Sequence, residues 1–319
     1  MPDNTFELGD TELSAPAPRP APPSGGVERE FTVKARTQRA IIARRFFQHR
    51  LAVVSLGVFI LVVLFAFVGA SLWKYGYRDE TPDILVGPSA GHPFGTDQNG
   101  LDEMALIMRG SQRSIEIALS VAFLSTIIGT FVGAVAGYYR GIVDTVLMRL
   151  VDLVLTIPIL VLGLLLADKY QQASSWWGLT LVLAGVLWAG TSRIVRGQVL
   201  SLREKEFVEA ARALGASDRR IITRLILPNV AGTLIVVVTL GIAATILIES
   251  ALSFLNFGVK FPDTSLGLLV VNGQQGIEGG WPWLFYFPGL FIILIALSAN
   301  FIGDGLRDAF DPTQTRVRA

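Results

Sequence analysis

Long apolar runs constrain this chain more than any other feature of its sequence. A helix needs about 20 mostly apolar residues to cross the hydrocarbon core of a bilayer. Six runs approach or exceed that length: 51–73, 114–138, 145–167, 176–192, 230–250 and 283–303. Charged residues make up 17% of the chain, against about 25% in soluble domains. The runs predict an all-α integral membrane protein with six transmembrane helices, and they disfavour the alternative of one large soluble core.

The distribution of basic residues predicts the orientation. Lys and Arg are concentrated on the side that holds both chain ends. Because cytoplasmic segments carry the excess of positive charge, both termini are predicted to be cytoplasmic. The chain then divides into a flexible cytoplasmic tail at 1–50, a first helix with an outside loop at 51–113, a membrane core at 114–303 that includes a cytoplasmic loop at 193–229, and a cytoplasmic tail at 304–319.

The cytoplasmic loop contains a patterned polar helix. Four residues at the i, i+3, i+4 and i+7 positions form one apolar face: Phe207, Ala210, Ala211 and Leu214. Glu209 points away from that face. The two alanines make the face shallow and suited to a groove of a partner protein. The alternative is a helix lying on the inner leaflet, but such helices usually carry larger apolar anchors.

A glycine and a proline bound this segment. Gly215 is predicted to end the helix, because only glycine adopts the left-handed cap without a steric penalty. Ser217 or Asp218 can cap a second helix that runs to Pro228. Proline lacks a backbone donor and restricts Leu227 before it, so a bend is predicted where the chain enters the fifth span.

Further motifs flank the segment. The full set is His92-Pro-Phe-Gly-Thr-Asp97, Arg149-x-x-Asp152 followed by Pro158, Phe207-Val-Glu-Ala-Ala-Arg-Ala-Leu-Gly-Ala-Ser217, Glu249-Ser-Ala-Leu-Ser-Phe-Leu255, Pro288-Gly289 and Asn300-Phe-Ile-Gly-Asp-Gly-Leu-Arg-Asp-Ala-Phe-Asp-Pro312. With these motifs the chain resembles, from about residue 92 to residue 312, the C-type permease subunit of dipeptide/oligopeptide ABC importers of the binding-protein-dependent type I class. The stretch that begins at Glu209 looks like the EAA loop of that class.

The resemblance implies a type I ABC-importer permease fold with a cytoplasmic EAA coupling helix, in a multi-pass protein of the bacterial plasma (inner) membrane. It implies that the coupling residues are Phe207, Glu209, Ala210, Ala211, Leu214, Gly215 and Pro228. The implied partners are a second homologous permease subunit in a heterodimer, two cytoplasmic ATPase subunits or domains, an extracytoplasmic peptide-binding protein and membrane lipid, with no nucleic acid. No cofactor is expected on this chain, because its partners would use the ATP and Mg. Related importers carry nickel or other small solutes, which leaves that substrate as the alternative.

The chain departs from the family pattern at three outside positions. Leu101 and Leu106 stand where the family usually has arginine, and Asn256 stands where glycine is common. These departures concern the match to the substrate and to the binding protein, since the fold depends on other residues.

Polar residues inside the predicted spans are the candidates for a translocation path. Asp152 lies roughly 13 Å into the third span, and Arg149 three residues earlier shares its helix face. A structural ion pair between them is expected, with a role of Asp152 in the path as the alternative. Glu249 lies at the outer end of the fifth span and is expected to reach interfacial water. The alternative places Glu249 at the path or gate, together with Asn256.

Two enzyme-like patterns are set aside. Gly87-Pro-Ser-Ala-Gly91 beside His92 spells a hydrolase nucleophile elbow, but its Pro/Gly flanks predict a loop. None of the five lysines follows a glycine, so the chain has no G-x-x-x-x-G-K phosphate loop and is expected to be a transport subunit without its own ATPase site. An ion-driven secondary transporter and an intramembrane hydrolase remain the disfavoured rivals, because internal repeats and a nucleophile–base set are not found.

Overall fold

The computed structural model describes residues 38–161, 176–255, 257–260 and 262–311. Its helices are α1 Gln38–Gln48, α2 Arg50–Leu72, α3 Glu103–Tyr139, α4 Gly141–Thr156, α5 Trp176–Leu202, α6 Glu206–Ala213, α7 Asp218–Phe254, α8 Leu266–Gly279 and α9 Trp283–Phe310. The only β contacts in the described part are two isolated bridges in the loop after α2. The predicted all-α class is confirmed.

Five of these helices, α2, α3, α5, α7 and α9, are long and apolar enough to cross a membrane. They contain five of the six predicted runs. The remaining run, 145–167, overlaps α4 but continues into residues 162–175, which lie outside the described residues. The sixth span therefore stays a prediction. The predicted tails stay predictions too, because residues 1–37 and 312–319 also lie outside the described part.

Helix α3 begins eleven residues before the predicted span. The Asp102 side chain caps it by accepting a hydrogen bond of 2.8 Å from the backbone N–H of Ala105. The polar residues that follow were expected in an outside loop. They remain helical because their charges are paired with a distant loop, as described below, so this boundary was predicted wrongly.

Close contact between α3 and α5 organises the core of the fold. Gly129, Gly133 and Gly137 of α3 form a stripe along the helix side that faces α5. A β carbon at these positions would lie 2.7, 2.5 and 2.9 Å, respectively, from the nearest atom of α5. Membrane helices approach closely where such small residues recur every fourth position, because packing rather than the hydrophobic effect drives their association. The stripe fixes α5, and with it the loop that α5 carries.

The chain is helical on both sides of Pro228, so the extended conformation predicted before it is not found. Leu227, the residue before it, has φ −57° and ψ −41°, which is helical, whereas the sequence led us to expect an extended conformation. A π-helical turn, Ile222–Ile226, comes directly before. The α-helical hydrogen bonding starts anew at Leu227, and Pro228 lies in the first turn, where its missing N–H has no intrahelical role.

Candidate functional site

The coupling helix predicted from the sequence is α6, and its end has the expected geometry. Gly215 has φ +81°. Its N–H donates to the carbonyl of Arg212 at 3.0 Å, and the N–H of Ala216 donates to the carbonyl of Ala211 at 3.0 Å. This pair of bonds is a Schellman motif, which ends a helix with a left-handed residue. The predicted conformation of Gly215 is confirmed.

One side of α6 is open. Phe207 is 43% exposed and Leu214 is 88% exposed. Glu209 and Ala210 are exposed as well, and Ala211 is half-buried. The predicted apolar face thus lies mainly outside the body of the chain, where a partner can contact it. Pro228 is exposed further along, at the start of the α-helical part of α7.

A neighbouring side of α6 is anchored through one residue that the sequence interpretation missed. Val208 is fully buried in an apolar cluster at the cytoplasmic end of the fold. The other buried members of that cluster come from α3, α5 and α7: Ala134, Tyr138, Val195, Val199, Ile221, Ile226 and Val230. The sequence did contain a signal for this anchor, namely a valine among charged residues, three positions before Ala211. Val208 thus packs α6 against three membrane helices at once.

Polar contacts tie the same segment to the end of α3. The Tyr138 hydroxyl donates to Asp218 at 2.7 Å, and the Arg203 guanidinium donates to the Tyr138 carbonyl. An ion pair of 2.7 Å joins Arg140 to Glu204. The loop before α6 and the helix after it are both held to one turn of α3. The segment is therefore fixed at both ends.

Three arginines lie beside the coupling segment. A cavity of about 410 Å³ is lined by Ser217, Arg219, Arg220, Thr223 and Arg224. These residues belong to the turn after α6 and to the first turns of α7, and their arginines are exposed. The exposed surface here is therefore apolar on α6 and basic next to it.

The expected ion pair between Arg149 and Asp152 is wrong. Within the described residues, Asp152 pairs with Arg193 of α5, at 2.6 Å between Oδ1 and Nη2. A second pair, Asp144 with Arg196, joins the same two helices at 2.5 and 2.6 Å. The two helices run antiparallel, so α5 presents arginines to the acidic residues of α4. Sequence spacing indicated only the partner on the same helix.

The expectation that Glu249 reaches interfacial water is also wrong. Its side chain is 1% exposed. Its carboxylate accepts hydrogen bonds from Ser253 at 2.8 Å and from Ser114 of α3 at 3.3 Å. The Ser114 hydroxyl in turn accepts from the backbone N–H of Leu266, so the network joins α3, α7 and the start of α8. Burial of a carboxylate is tolerated here because hydroxyl donors replace water.

A second polar network lies at the outer end of α3. Arg109 donates to Asp263 through Nε at 2.9 Å, and Arg113 forms a further hydrogen bond to the same carboxylate. Arg113 also pairs with Glu116 at 2.6 Å. The sequence interpretation missed this network, because its members are about 150 residues apart. Asn256, the remaining candidate for the path, lies outside the described residues.

The hydrolase-like pentapeptide is a loop, as predicted. Residues 87–91 are neither strand nor helix. The Ser89 hydroxyl accepts from the backbone N–H of His92, and the His92 ring lies instead against Asp102 at 2.7 Å and stacks on Tyr75. The serine and the imidazole are not arranged as a nucleophile and its base.

Comparison with known proteins identifies the class. Residues 129–316 match the family of binding-protein-dependent transport system inner membrane components, and residues 37–88 match the N-terminal TM domain of oligopeptide transport permease C. The chain belongs to this family of inner-membrane transport permeases. The predicted class of multi-pass inner-membrane protein is thereby confirmed. Membership in this family implies an ATPase and a substrate-binding protein as partners.

Several relatives match the permease over most of its length. The oligopeptide transport system permease protein OppC of Mycobacterium tuberculosis is 42% identical over 88% of this chain and 97% of the relative. The protein of the same name from Haemophilus influenzae is 37% identical over 89% and 91%. A putative peptide permease protein of Brucella suis is 40% identical over 85% and 89%. Among solved structures, the MetNI methionine ABC transporter in an inward-facing conformation matches with a TM-score of 0.49 and 17% identity, over 64% of this chain and 97% of that chain.

Proposed function

We propose that this permease imports dipeptides or oligopeptides across the bacterial plasma membrane and is driven by separate ATPase subunits. Relatives at 37–42% identity are named as oligopeptide permeases, which supports the substrate class. The observation that carries the driving mechanism is the two-sided helix α6. Its exposed face offers Phe207, Ala210 and Leu214 to a partner, while Val208 on a neighbouring side is buried among three membrane helices.

The coupling segment acts as a rigid lever. ATP and Mg are bound by the two ATPase subunits, whose closure moves α6. The helix cannot tilt alone, because Val208 is buried and Tyr138 holds both Arg203 and Asp218. Its displacement therefore moves α5 and α7, and the spans alternate between inward-open and outward-open arrangements. Coupling through such a two-state element needs only that the ATPase binds one arrangement better.

A second, homologous permease subunit completes the path. An apolar groove of about 840 Å³ between α3 and α7 is lined by exposed side chains that include Phe123, Phe131 and Ile235. The Asp152–Arg193 pair is about half-exposed in this chain. Charged side chains at membrane depth face a bundle interior or a water-filled cavity. The groove, and the side of α4 and α5 that bears the ion pair, are therefore assigned to the peptide path or to the partner subunit.

The outer end of the chain receives peptide from an extracytoplasmic binding protein. The buried Glu249 network joins α3, α7 and α8 in the arrangement described here. We assign it to the gate, because movement of these helices past one another must break hydrogen bonds to a buried carboxylate. Asn256 follows α7 directly and remains a candidate for the same region.

Reconstituted vesicles test the function. The permease pair, the ATPase subunits and the binding protein are combined, and uptake of a labelled tripeptide is measured. Import is expected to require hydrolysable ATP and to continue in the presence of a protonophore. Uptake that a protonophore abolishes, or that proceeds without the ATPase, would contradict the proposal.

Cross-linking tests the lever. The chain has no cysteines, so a single cysteine in place of Ala210 reports its own contacts. A bifunctional reagent is expected to join Ala210→Cys to the ATPase subunit in the assembled complex. Glu278→Cys, on the exposed surface of α8, serves as the control and is expected to give no ATPase adduct. Adducts of Ala210→Cys with phospholipid alone would contradict the coupling role.

A further inference from the structure

A cavity of about 290 Å³ lies at the outer end of the permease, away from the coupling segment. The loop before α3 forms one wall, and the segment from Pro262 through α8 to the start of α9 forms the other. Polar and aromatic lining side chains include Arg78, Asp97, Glu103, Asn272, Gln275 and Trp281. The volume is at the lower end of the range of small-ligand pockets, about 300–1,000 Å³.

Glu103, the first residue of α3, is buried in the wall of this cavity. Its side chain is 2% exposed, and within the described part of the chain no donor reaches its Oε1 atom. Burial disfavours a negative charge on this side chain and the nearby Asp97 and Asp102 repel it, so a bound cation would stabilise the carboxylate. A buried polar atom without a hydrogen bond is rare and costs free energy, so it indicates a group that is bound in the working protein.

The neighbouring acids are already occupied. Asp97 accepts hydrogen bonds from the backbone N–H groups of Asn99 and Leu101. Asp102 accepts from the Trp73 indole and from the N–H of Ala105, and it contacts the His92 ring. Glu103 is therefore the carboxylate of this group that is left for a ligand.

The charge of the lining favours a cationic ligand. Four lining residues are acidic, Glu80, Asp97, Glu103 and Asp263, and of these Asp263 is already paired with Arg109 and Arg113. Of the described lining residues only Arg78 is a lysine or arginine, and its guanidinium donates to the carbonyl of Pro262. Leu101 and Leu106, which stand where the family resemblance led us to expect arginine, line the same cavity. Without these two charges, Glu80, Asp97 and Glu103 outnumber the one lining arginine.

We propose that this cavity binds the free amino terminus of a short peptide, with Glu103 Oε1 accepting a hydrogen bond from the ammonium group. Trp281 supplies an aromatic wall, which attracts a cation. One free carboxylate oxygen suits a single ammonium group, whereas a metal ion would require several oxygen ligands. This inference rests on the proposed function in peptide import, and it adds a peptide site on the outer face of the permease itself.

Calorimetry on the whole transporter tests the site. The complex of permease pair and ATPases, prepared without the binding protein, is titrated with trialanine and with N-acetyl-trialanine. Wild type is expected to bind trialanine and to bind the acetylated peptide about 10- to 100-fold more weakly, because acetylation removes the charged donor. Glu103→Gln keeps the size of the side chain. It is expected to bind trialanine about 10- to 100-fold more weakly than wild type does and to bind the acetylated peptide with unchanged affinity.

Two further variants keep the test decisive. Asn272→Phe, which fills the cavity from the opposite wall, is expected to weaken trialanine binding with Glu103 intact, so the result does not depend on the folding of one variant. Glu278→Gln is the matched control, since Glu278 is exposed on the same helix as Asn272 and does not line the cavity. It is expected to bind trialanine as wild type does.

The possible results test the peptide site and the proposed import function separately. Equal affinity of wild type and Glu103→Gln for trialanine, or equal affinity of wild type for the two peptides, would overturn the site. Failure of wild type to bind trialanine while the complete system still imports peptide would overturn it too, and would leave the proposed function standing. Ammonium-dependent binding in a system that imports no peptide would support the site and contradict the function.

Discussion

The two ends of this permease differ in how exposed their candidate functional and polar residues are and in how far apart these residues lie in the sequence. At the predicted cytoplasmic end most of the candidate coupling residues are close together in the sequence and exposed, and α6 has one buried anchor, Val208. At the outer end the polar residues are buried and paired across long distances in the chain, as in Arg109 with Asp263 and Ser114 with Glu249. The comparison supports the proposal that the inner end contacts another protein, while the polar pairs at the outer end hold the helices of this chain together.

The largest expected effect comes from the cap of the coupling helix. Gly215→Val places a β-branched residue at φ +81°, a region that such side chains rarely adopt. We expect uptake to be abolished while membrane insertion stays normal. The reason is conformational, because none of the described atoms lies within 4 Å of a β carbon built on Gly215. Transport assays in vesicles, together with quantification of membrane-inserted protein, check this.

A matched substitution controls for the added side chain. Gly57→Val lies in α2, where a β carbon also has free space and φ lies in the ordinary negative range. It is expected to transport as wild type does. Normal uptake by Gly215→Val, or equal loss in both variants, would contradict the role of the cap.

The next effect separates the two faces of α6. Val208→Ala removes buried apolar volume worth about 1.5–2 kcal/mol at about 0.8 kcal/mol per methylene-sized group. We expect uptake to fall several-fold while the ATPase stays bound, since the lever loosens from the three membrane helices. Phe207→Ala, on the exposed face, is expected to reduce co-purification of the ATPase instead. Identical effects of the two variants on uptake and on ATPase co-purification would contradict separate roles for the two sides of α6.

The outer end is tested through its shared carboxylate. Asp263→Asn leaves Arg109 and Arg113 without their common charged partner, and all three side chains are at most 22% exposed. Hydrogen bonds to charged groups contribute about 1.5–3 kcal/mol each, so we expect a clear decrease in the melting temperature of the purified complex. The control is Asp83→Asn, whose carboxylate is 56% exposed and should change the melting temperature little. Equal melting temperatures would show that the outer network does not stabilise the fold.

The same contrast explains what could be predicted from the sequence. The helix α6 and its cap were predicted well, because the periodicity around Ala210 and the glycine at 215 are local signals that a helix and its cap require. The partners of Asp152 and Asp263 were not predicted, because they depend on which faces of distant helices meet. Pro228 shows the limit of a local rule, since Leu227 before it is helical where proline alone predicts an extended residue.

The smallest expected effect tests the corrected ion pair. Asp152 and Arg193 are 45% and 53% exposed, so their interaction is expected to contribute no more than about 1 kcal/mol. Exchanging the charges in Asp152→Arg/Arg193→Asp is expected to restore part of the melting temperature that either single variant loses. Arg149→Gln is the comparison. If Asp152 paired with Arg149, as the sequence suggested, this variant would lower the melting temperature as much as loss of Arg193 does. If Arg149→Gln is silent and the exchange is compensatory, α4 is held by the neighbouring helix. That result would extend to α4 and α5 the rule seen at the outer end, that distant partners hold the helices together.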